Sequence, residues 1–180
     1  MKALVQAALG ATALTALVAT IAVAQERMVD INKLSESGVG DKIGTIRVTE
    51  AKNGTTFKID VTGITAGKHG FHLHENGDCA AAAKDGKMEA GGAAGGHYDP
   101  ASTKSHKGPK GASGTGHKGD LPVLTATAKG IKQSVTAGKL KLVDVEGRAL
   151  VIHEGGDNYT DQPANGGGGA RIACGVIPKS

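Results

Sequence analysis

Short runs in which apolar and polar residues alternate, separated by glycine-rich turns, recur through most of the 180-residue chain. Residues 43–48 and 57–61 both alternate in this way, and Asn53–Gly54 between them is a typical hairpin turn. Because successive side chains of a strand point to opposite faces, such runs predict strands with one face in a core. The same pattern predicts further strands at residues 121–128, 140–145, 149–153 and 171–177.

The pattern predicts an all-β fold. After residue 24, no segment keeps an apolar period of 3.6 residues over three turns, so we expect little helix. Many short strands joined by glycine-rich turns are typical of antiparallel sandwiches and barrels. Residues 75–120 and 154–170 do not fit as strands, and loops of this length are usually functional or disordered. Every histidine lies in or next to one of them, which favours function.

The first 24 residues have the composition of a secretory signal peptide. A positive charge precedes an apolar stretch, and Ala22-Val23-Ala24 forms a small-residue cleavage site. A membrane anchor is the weaker alternative, because the stretch is rich in Ala and Thr and no cluster of charges follows it. We therefore expect residues 1–24 to be removed on export, which leaves residues 25–180 as a single domain without a membrane anchor.

The net charge argues against a nucleic-acid partner. The formal net charge is +4, because 21 lysines and arginines slightly outnumber 17 aspartates and glutamates. Nucleic-acid-binding domains usually carry a clustered basic patch, often with aromatic residues among the cations. This chain has two Phe, two Tyr and no arginine-rich patch, so ordinary surface lysines are the better interpretation.

The two cysteines, Cys79 and Cys174, both lie in the part that is expected to be exported. An even number of cysteines in an oxidising compartment is typical of a disulfide. We therefore predict a bond between them, against the alternative of two buried thiols.

Residues 69–79, HGFHLHENGDC, contain three of the seven histidines. In a strand, His72 and His74 share one face, while Phe71 and Leu73 point to the other, where the core is expected. Two parallel imidazoles on one face form a natural metal clamp. By itself, such a pair is equally compatible with a solvent-facing polar surface.

The remaining histidines strengthen the metal interpretation. His117 and Asp120 place an imidazole and a carboxylate within one turn, a mixture that suits Zn²⁺, whereas imidazoles alone suit copper among the redox-active metals. Two metal sites explain six of the seven histidines more economically than one site. A zinc–thiolate site fits poorly because the two cysteines lie far apart in sequence, and a serine hydrolase fits poorly because no nucleophile-elbow sequence is present. A blue-copper site also fits poorly, because neither Met28 nor Met88 follows a cysteine with the required histidine spacing.

Five motifs resemble, in order, the signatures of the copper–zinc superoxide dismutases in their exported bacterial form: GFHLHENGDC, GGHYDP, GHKGDLP, VIHEGGDN and GGGGARIACGVI. The resemblance covers residues 41–177. It implies an antiparallel Greek-key β-sandwich or flattened barrel of immunoglobulin-like architecture with two long functional loops. It also implies a periplasmic enzyme that converts superoxide to dioxygen and hydrogen peroxide by alternate reduction and oxidation of copper, protecting the cell envelope. The alternative is a protein of the same fold that binds or buffers copper and zinc without turnover.

The resemblance also implies a role for each matching residue. The expected copper ligands are His72, His74, His97 and His153, and the expected zinc ligands are His97, His106, His117 and Asp120, with His97 as the bridge. Arg171 is expected to attract and orient the superoxide anion, and His97 to supply a proton. Asp157 is expected to accept hydrogen bonds from His72 and His106, and His69 to brace a loop without binding metal. Cys79 and Cys174 match the intrachain disulfide of the family.

Three further points follow from comparison with the family pattern. Lys84 and Lys87 are our hypothesis for longer-range steering of the anion, and solvated loop lysines are an equally good interpretation. The segment KGPKGASGTG between His106 and His117 is slightly longer than is usual, and we expect it to bulge outward and leave the zinc site intact. The sequence leaves open whether the protein is a monomer or a homodimer and whether a further ligand such as haem binds.

Overall fold

The computed structural model describes residues 25–111 and 114–180. The signal peptide expected at residues 1–24 lies outside the described residues. Strands dominate the described part, and no helix in it is long and apolar enough to cross a membrane. The strands are β1 (Glu26–Ser35), β2 (Gly38–Ala51), β3 (Gly54–Val61), β4 (Gly67–His69), β5 (Phe71–His74), β6 (Ala82–Lys84), β7 (Lys87–Glu89), β8 (Leu124–Ala126), β9 (Ile131–Ala137), β10 (Ala149–His153) and β11 (Arg171–Val176). The helices are α1 (Leu142–Val145) and two 3₁₀ helices, Gly92–Ala94 and Ala164–Gly167.

Seven strands form one antiparallel sheet in the order β5-β10-β11-β1-β2-β3-β9. The pair β4–β8 joins the two edges of this sheet, since β4 runs into β5 at one edge and β8 runs towards β9 at the other. The sheet therefore curls into a flattened barrel. After β3, which lies next to the edge strand β9, the chain passes through β4 and enters β5 at the other edge of the sheet. This connection crosses the barrel, as in Greek-key topologies. The expected antiparallel all-β fold is confirmed.

The core lies inside the barrel and follows the alternation in the sequence. In β3, Phe57, Ile59 and Val61 are buried while the residues between them are more exposed. Phe71 and Leu73 are fully buried, as expected, and Phe71 packs edge to face on Phe57 with ring centroids 5.7 Å apart. Burial of a side chain of this size contributes about 1.5–3 kcal/mol.

The prediction of a strand at residues 140–145 was wrong. Residues 142–145 form the single α-helical turn α1, in which Leu142 and Val145 are buried and Val143 is 75% exposed. Apolar residues three apart share a face of a helix, and in so short a segment this spacing is easily confused with strand alternation. The carboxylates of Asp144 and Glu50 accept hydrogen bonds from the backbone N–H groups of Lys141 and Leu142, which satisfies the start of the helix.

Other strand predictions were right in place but incomplete. The runs at 43–48, 57–61, 149–153 and 171–177 lie in β2, β3, β10 and β11, whereas the run at 121–128 shortens to β8. Strands β1, β4 and β9 were not predicted, although Val29 and Ile31 in β1 alternate with polar residues. The small β6–β7 hairpin within residues 75–120 was also not predicted.

The predicted disulfide between Cys79 and Cys174 is confirmed. The Cα atoms lie 5.8 Å apart, and the bond links the segment after β5 to strand β11 across 95 residues of sequence. Closing a loop of this length removes roughly 4–5 kcal/mol of entropy from the unfolded chain in the loop-closure treatment.

We expect replacement of both cysteines, Cys79→Ala with Cys174→Ala, to lower the free energy of unfolding of the metal-free protein by about 2–5 kcal/mol. The measurement is urea unfolding followed by circular dichroism. Wild-type protein treated with a reductant is the control and should unfold like the variant. Equal unfolding midpoints for the oxidised wild type and the double variant would contradict the stabilising role of this bond.

Candidate metal centre

Four histidines converge on the outer side of the barrel. His72 and His74 project from β5 on the side opposite Phe71 and Leu73, as predicted. Strand β10 pairs with β5, so His153 at its end lies beside them, and His97 pairs with His74 through an isolated bridge. One ring nitrogen from each histidine lies within 4.8 Å of the others. All four are buried beneath the long loops, so the solvent-facing alternative for His72 and His74 was wrong.

Each of these four imidazoles has one ring nitrogen with a partner and one without. The partners are Asp157 Oδ2 for His72 Nε2 at 2.8 Å, Gly95 O for His74 Nδ1 at 2.9 Å, Asp120 Oδ1 for His97 Nδ1 at 3.0 Å, and Gly169 O for His153 Nδ1 at 3.2 Å. The opposite nitrogens are buried and unpartnered: His72 Nδ1, His74 Nε2, His97 Nε2 and His153 Nε2. Buried polar atoms without partners are rare in folded proteins. A cation bound by four imidazoles satisfies all of them, and such a ligand set suits copper.

A second cluster surrounds the carboxylate of Asp120. Its Oδ1 lies 3.0 Å from Nδ1 of His97, 3.0 Å from Nδ1 of His106 and 3.2 Å from Nδ1 of His117. Three imidazole nitrogens and one carboxylate oxygen form a donor set that fits a tetrahedral zinc ion. His97 contributes Nδ1 here and Nε2 to the first cluster, so one ring belongs to both.

The loop that carries His106 is tied to the same carboxylate. The backbone N–H groups of Lys107 and Gly108 both donate to Asp120 Oδ2 at 3.1 Å. The segment 107–116 therefore begins with an anchored turn, and residues 112–113 lie outside the described ranges. His106, His117 and Asp120 come together, as expected.

Asp157 connects the two clusters. Its Oδ2 accepts from His72 Nε2 and its Oδ1 from His106 Nε2, both at 2.8 Å, so the remaining Nδ1 of each ring points into its cluster. Gly166 packs directly against this carboxylate with φ of +68°, and a Cβ there would collide with Asp157 Oδ1. The run of four glycines in the sequence thus includes a position where only glycine fits.

Burial and neighbouring charges hold the first cluster neutral. Burial, with the nearby His97 as a further cause, lowers the pKa of His72 and His74 well below 6.5. Burial likewise lowers the pKa of His97, and it lowers that of His153 to about 4. Neutral imidazole is the form that binds a metal ion, so these rings need not lose a proton at neutral pH.

In the second cluster, interactions with neighbouring groups outweigh the effect of burial on the pKa values. Burial alone lowers the pKa of His106, but the nearby carboxylates of Asp120 and Asp157 outweigh burial and raise the pKa to about 9. For both carboxylates burial raises the pKa, yet the hydrogen bonds from the histidines hold the pKa of Asp120 and Asp157 far below the usual range. In the absence of a cation, a proton on His106 thus offsets one of the two buried negative charges.

His69 belongs to neither cluster. Its Nδ1 lies 2.8 Å from the carbonyl oxygen of His153, and its Nε2 lies 2.8 Å from that of Thr65. Both ring nitrogens are therefore occupied by backbone contacts that connect the end of β10 to the segment before β4. No ring atom of His69 is available to a metal ion.

Arg171 and Lys84 line a cavity of about 330 Å³ that leads to His74, His97 and His153. The guanidinium donates to the carbonyl oxygens of Gly91 at 2.6 Å and Gly95 at 2.7 Å, and its side chain is only 10% exposed. Lys87 lies exposed on the same hairpin but does not line this cavity.

Three contributors to the site were missed at the sequence level. Glu89 lines the cavity, with Oε1 3.7 Å from Arg171 Nε. Asp161 accepts a hydrogen bond from the backbone N–H of His106 at 2.6 Å, and the Tyr159 hydroxyl accepts one from Val123 N–H at 2.9 Å. Asp161 and Tyr159 attach the loop of residues 154–170 to its neighbours. No spacing or motif singles them out, because each acts through the backbone of a distant segment.

Comparison with known proteins gives a consistent result. The family profile described as copper/zinc superoxide dismutase matches residues 42–177. A superoxide dismutase [Cu-Zn] from Brucella abortus is 48% identical over 164 residues, which cover 89% of this chain and 93% of that protein. The solved structure of the Brucella abortus enzyme superimposes with a TM-score of 0.81 at 47% identity, covering 85% of this chain and 99% of the other. The monomeric copper, zinc superoxide dismutase from Salmonella enterica gives 0.75 at 48% identity over the same shares.

We expect the metal-free protein to lose stability as the pH falls from 6.5 to 4. In the unfolded chain histidines take up protons near pH 6.5, whereas the folded state holds His72, His74 and His153 neutral to lower pH. The unfolded state therefore binds more protons in this window, and protonation favours it. His153 alone, with a folded pKa of about 4, contributes on the order of 3 kcal/mol.

The measurement is the free energy of unfolding in urea at several pH values, for the metal-free protein and for the protein loaded with copper and zinc. The variant His153→Asn is the control and should show a shallower dependence. A flat profile between pH 6.5 and 4 in the metal-free wild type would contradict the burial of neutral imidazoles.

Proposed function

The chain belongs to the copper/zinc superoxide dismutase family, and on that premise we propose which of its residues bind the metal ions, bind the substrate and donate a proton. The enzyme converts two superoxide anions and two protons into dioxygen and hydrogen peroxide, and copper and zinc are its cofactors. We assign copper to His72, His74, His97 and His153, and zinc to His97, His106, His117 and Asp120. The observation that carries the assignment is the convergence of four unpartnered, buried ring nitrogens in the first cluster.

The shared ring of His97 is the proposed proton donor. When bound, copper supplies the one-electron couple for both halves of the reaction, and zinc supplies a fixed positive charge. Nδ1 of His97 faces Asp120, while Nε2 faces the other three histidines. Burial lowers the pKa of His97, so a proton held at Nε2 is readily released to a reduced substrate at neutral pH.

Arg171 is the proposed binding residue for the substrate. It is permanently charged, it offers a planar set of donors, and it lines the cavity beside His74, His97 and His153. Two backbone carbonyls fix its guanidinium, so no reorganisation is needed when the anion arrives. Steering of a small anion by such a charge raises the rate of encounter, an effect for which superoxide dismutases are a standard example.

A protein that only buffers copper and zinc is the disfavoured alternative. Relatives that are 46–49% identical to this chain are named superoxide dismutases. Storage of metal ions also needs no buried cation in the wall of the cavity that leads to His74, His97 and His153. The discriminating measurement is superoxide consumption by purified protein of known copper and zinc content, before and after chelation.

We further propose that residues 1–24 direct export to the periplasm and that residues 25–180 form the mature single domain. The disulfide between Cys79 and Cys174 supports an oxidising compartment. We expect no nucleic-acid partner for the mature domain. Since the relative from Salmonella enterica is described as monomeric, a homodimer stays a proposal for this chain that light scattering can test.

We expect Arg171→Gln to lower the rate of superoxide consumption by about tenfold at low ionic strength, because the anion loses its charged partner. Copper and zinc content should not change, since Arg171 contacts backbone carbonyls and no metal ligand side chain through its guanidinium. Arg47→Gln is the matched control, because Arg47 is an exposed cation paired with Glu26. Equal rates for the two variants would exclude a role for Arg171 in anion capture.

The steering hypothesis for Lys84 and Lys87 can now be made specific. We expect Lys84→Gln to slow catalysis by roughly two- to threefold at low ionic strength, because Lys84 is one of the two permanent cations that line the cavity. Lys87→Gln should have a smaller effect, since Lys87 does not line the cavity. The measurement is the rate as a function of salt, with Lys132→Gln as an exposed control on β9. If neither variant differs from the control, the lysines are solvated surface residues.

A further inference from the structure

The β6–β7 hairpin places one carboxylate between two cations of the cavity. Glu89, at the end of β7, has Oε1 3.7 Å from Arg171 Nε and Oε2 3.7 Å from Lys84 Nζ. Its side chain is 34% exposed, so it lies at the rim of the cavity and remains partly solvated. The contact brings together strand β11 and both strands of the hairpin.

Glu89 is not needed to hold the guanidinium of Arg171. That group already donates to Gly91 O at 2.6 Å and Gly95 O at 2.7 Å, distances at which charge-assisted hydrogen bonds are strong. The separation of 3.7 Å from Glu89 is too long for a hydrogen bond. The effect of the carboxylate on Arg171 is therefore electrostatic.

The balance of charge in the cavity depends on this one residue. Among the residues that line the cavity in the described part of the chain, Lys84 and Arg171 are permanent cations and Glu89 is the one carboxylate. Glu89 reduces the formal charge of these three groups from +2 to +1. A cleft with low-dielectric walls focuses the field of such groups, so one charge at the rim changes the local concentration of a small anion.

We propose that the carboxylate of Glu89 weakens the retention of small anions beside Arg171, because it offsets one of the two permanent cations in the cavity wall. This inference rests on the proposed function of Arg171 as the anion-binding group. Glu89 thereby lowers the affinity of the cavity for competing univalent anions, at the cost of slower capture of superoxide. Removal of its charge increases both the affinity for inert anions and the rate of capture.

The test compares Glu89→Gln with Asp85→Asn in the enzyme loaded with copper and zinc. Both variants remove one negative charge from the same hairpin, but Asp85 lies at its turn with φ of +51°, a conformation that asparagine tolerates, and does not line the cavity. Two quantities are measured: the dissociation constant of azide, from the visible spectrum of the cupric protein, and the rate of superoxide consumption as a function of ionic strength.

For Glu89→Gln we expect azide to bind about threefold more tightly and superoxide to be consumed about two- to threefold faster at low salt, with both differences shrinking at high salt. Asp85→Asn should match the wild type within experimental error. Unchanged or weaker azide binding in Glu89→Gln, with normal metal content and unfolding midpoint, overturns the inference. So does an equal gain in Asp85→Asn.

A third variant keeps the test decisive if Glu89→Gln alters the hairpin. Glu89→Asp retains the charge and should bind azide like the wild type, whereas tighter binding in this variant would indicate a structural cause. Failure of the proposed function is distinguishable, because it appears as an absence of turnover in the wild type itself. If the wild type turns over and Arg171→Gln weakens azide binding while Glu89→Gln does not strengthen it, only the role of Glu89 is wrong.

Discussion

The carboxylate of Asp157 is the contact on which the geometry of the two histidine clusters depends. One oxygen orients the ring of His72 and the other that of His106, so a single group determines which nitrogen of each ring is free. Outer partners of this kind fix the tautomer and direction of metal-ligating imidazoles. Asp157 comes from the loop of residues 154–170, whereas the two histidines come from a strand and from the other long loop. Both loops must therefore be in place before His72 and His106 are held in these orientations.

The barrel supplies the rigid half of this arrangement. Pairing of β5 with β10 fixes His72, His74 and His153 on neighbouring strands, and the interlocked core beneath them leaves those strands little freedom. The loops supply the other half, and hydrogen bonds between distant segments help to hold them in place. Glycine at position 166 lets the backbone approach Asp157, and the disulfide at Cys79 fixes the segment that leads to His97.

The strands of the sheet and the positions of the ligands could both be predicted from the sequence, but from different signals. Alternation located most strands because one face of each is buried, and it failed at Leu142–Val145, where a single helical turn has nearly the same spacing. The family motifs located the histidines, which the structure brings together in two clusters. Glu89 and Asp161 escaped because their positions depend on how residues 75–120 and 154–170 fold, and those segments contain few large apolar side chains to indicate it.

The ring that belongs to both clusters makes the two metal-binding equilibria interdependent. An ion bound at Nδ1 of His97 restricts the rotation of the ring. A second ion can then bind at Nε2 without the entropic cost of ordering the ring, and the converse also holds. Thermodynamic linkage requires the two effects to be equal in free energy. Partly loaded protein is then under-represented at equilibrium wherever this ordering outweighs the repulsion between the two cations. In that case the population would divide into empty and fully loaded molecules, and metal supply would alter the number of competent enzymes more than the properties of each one.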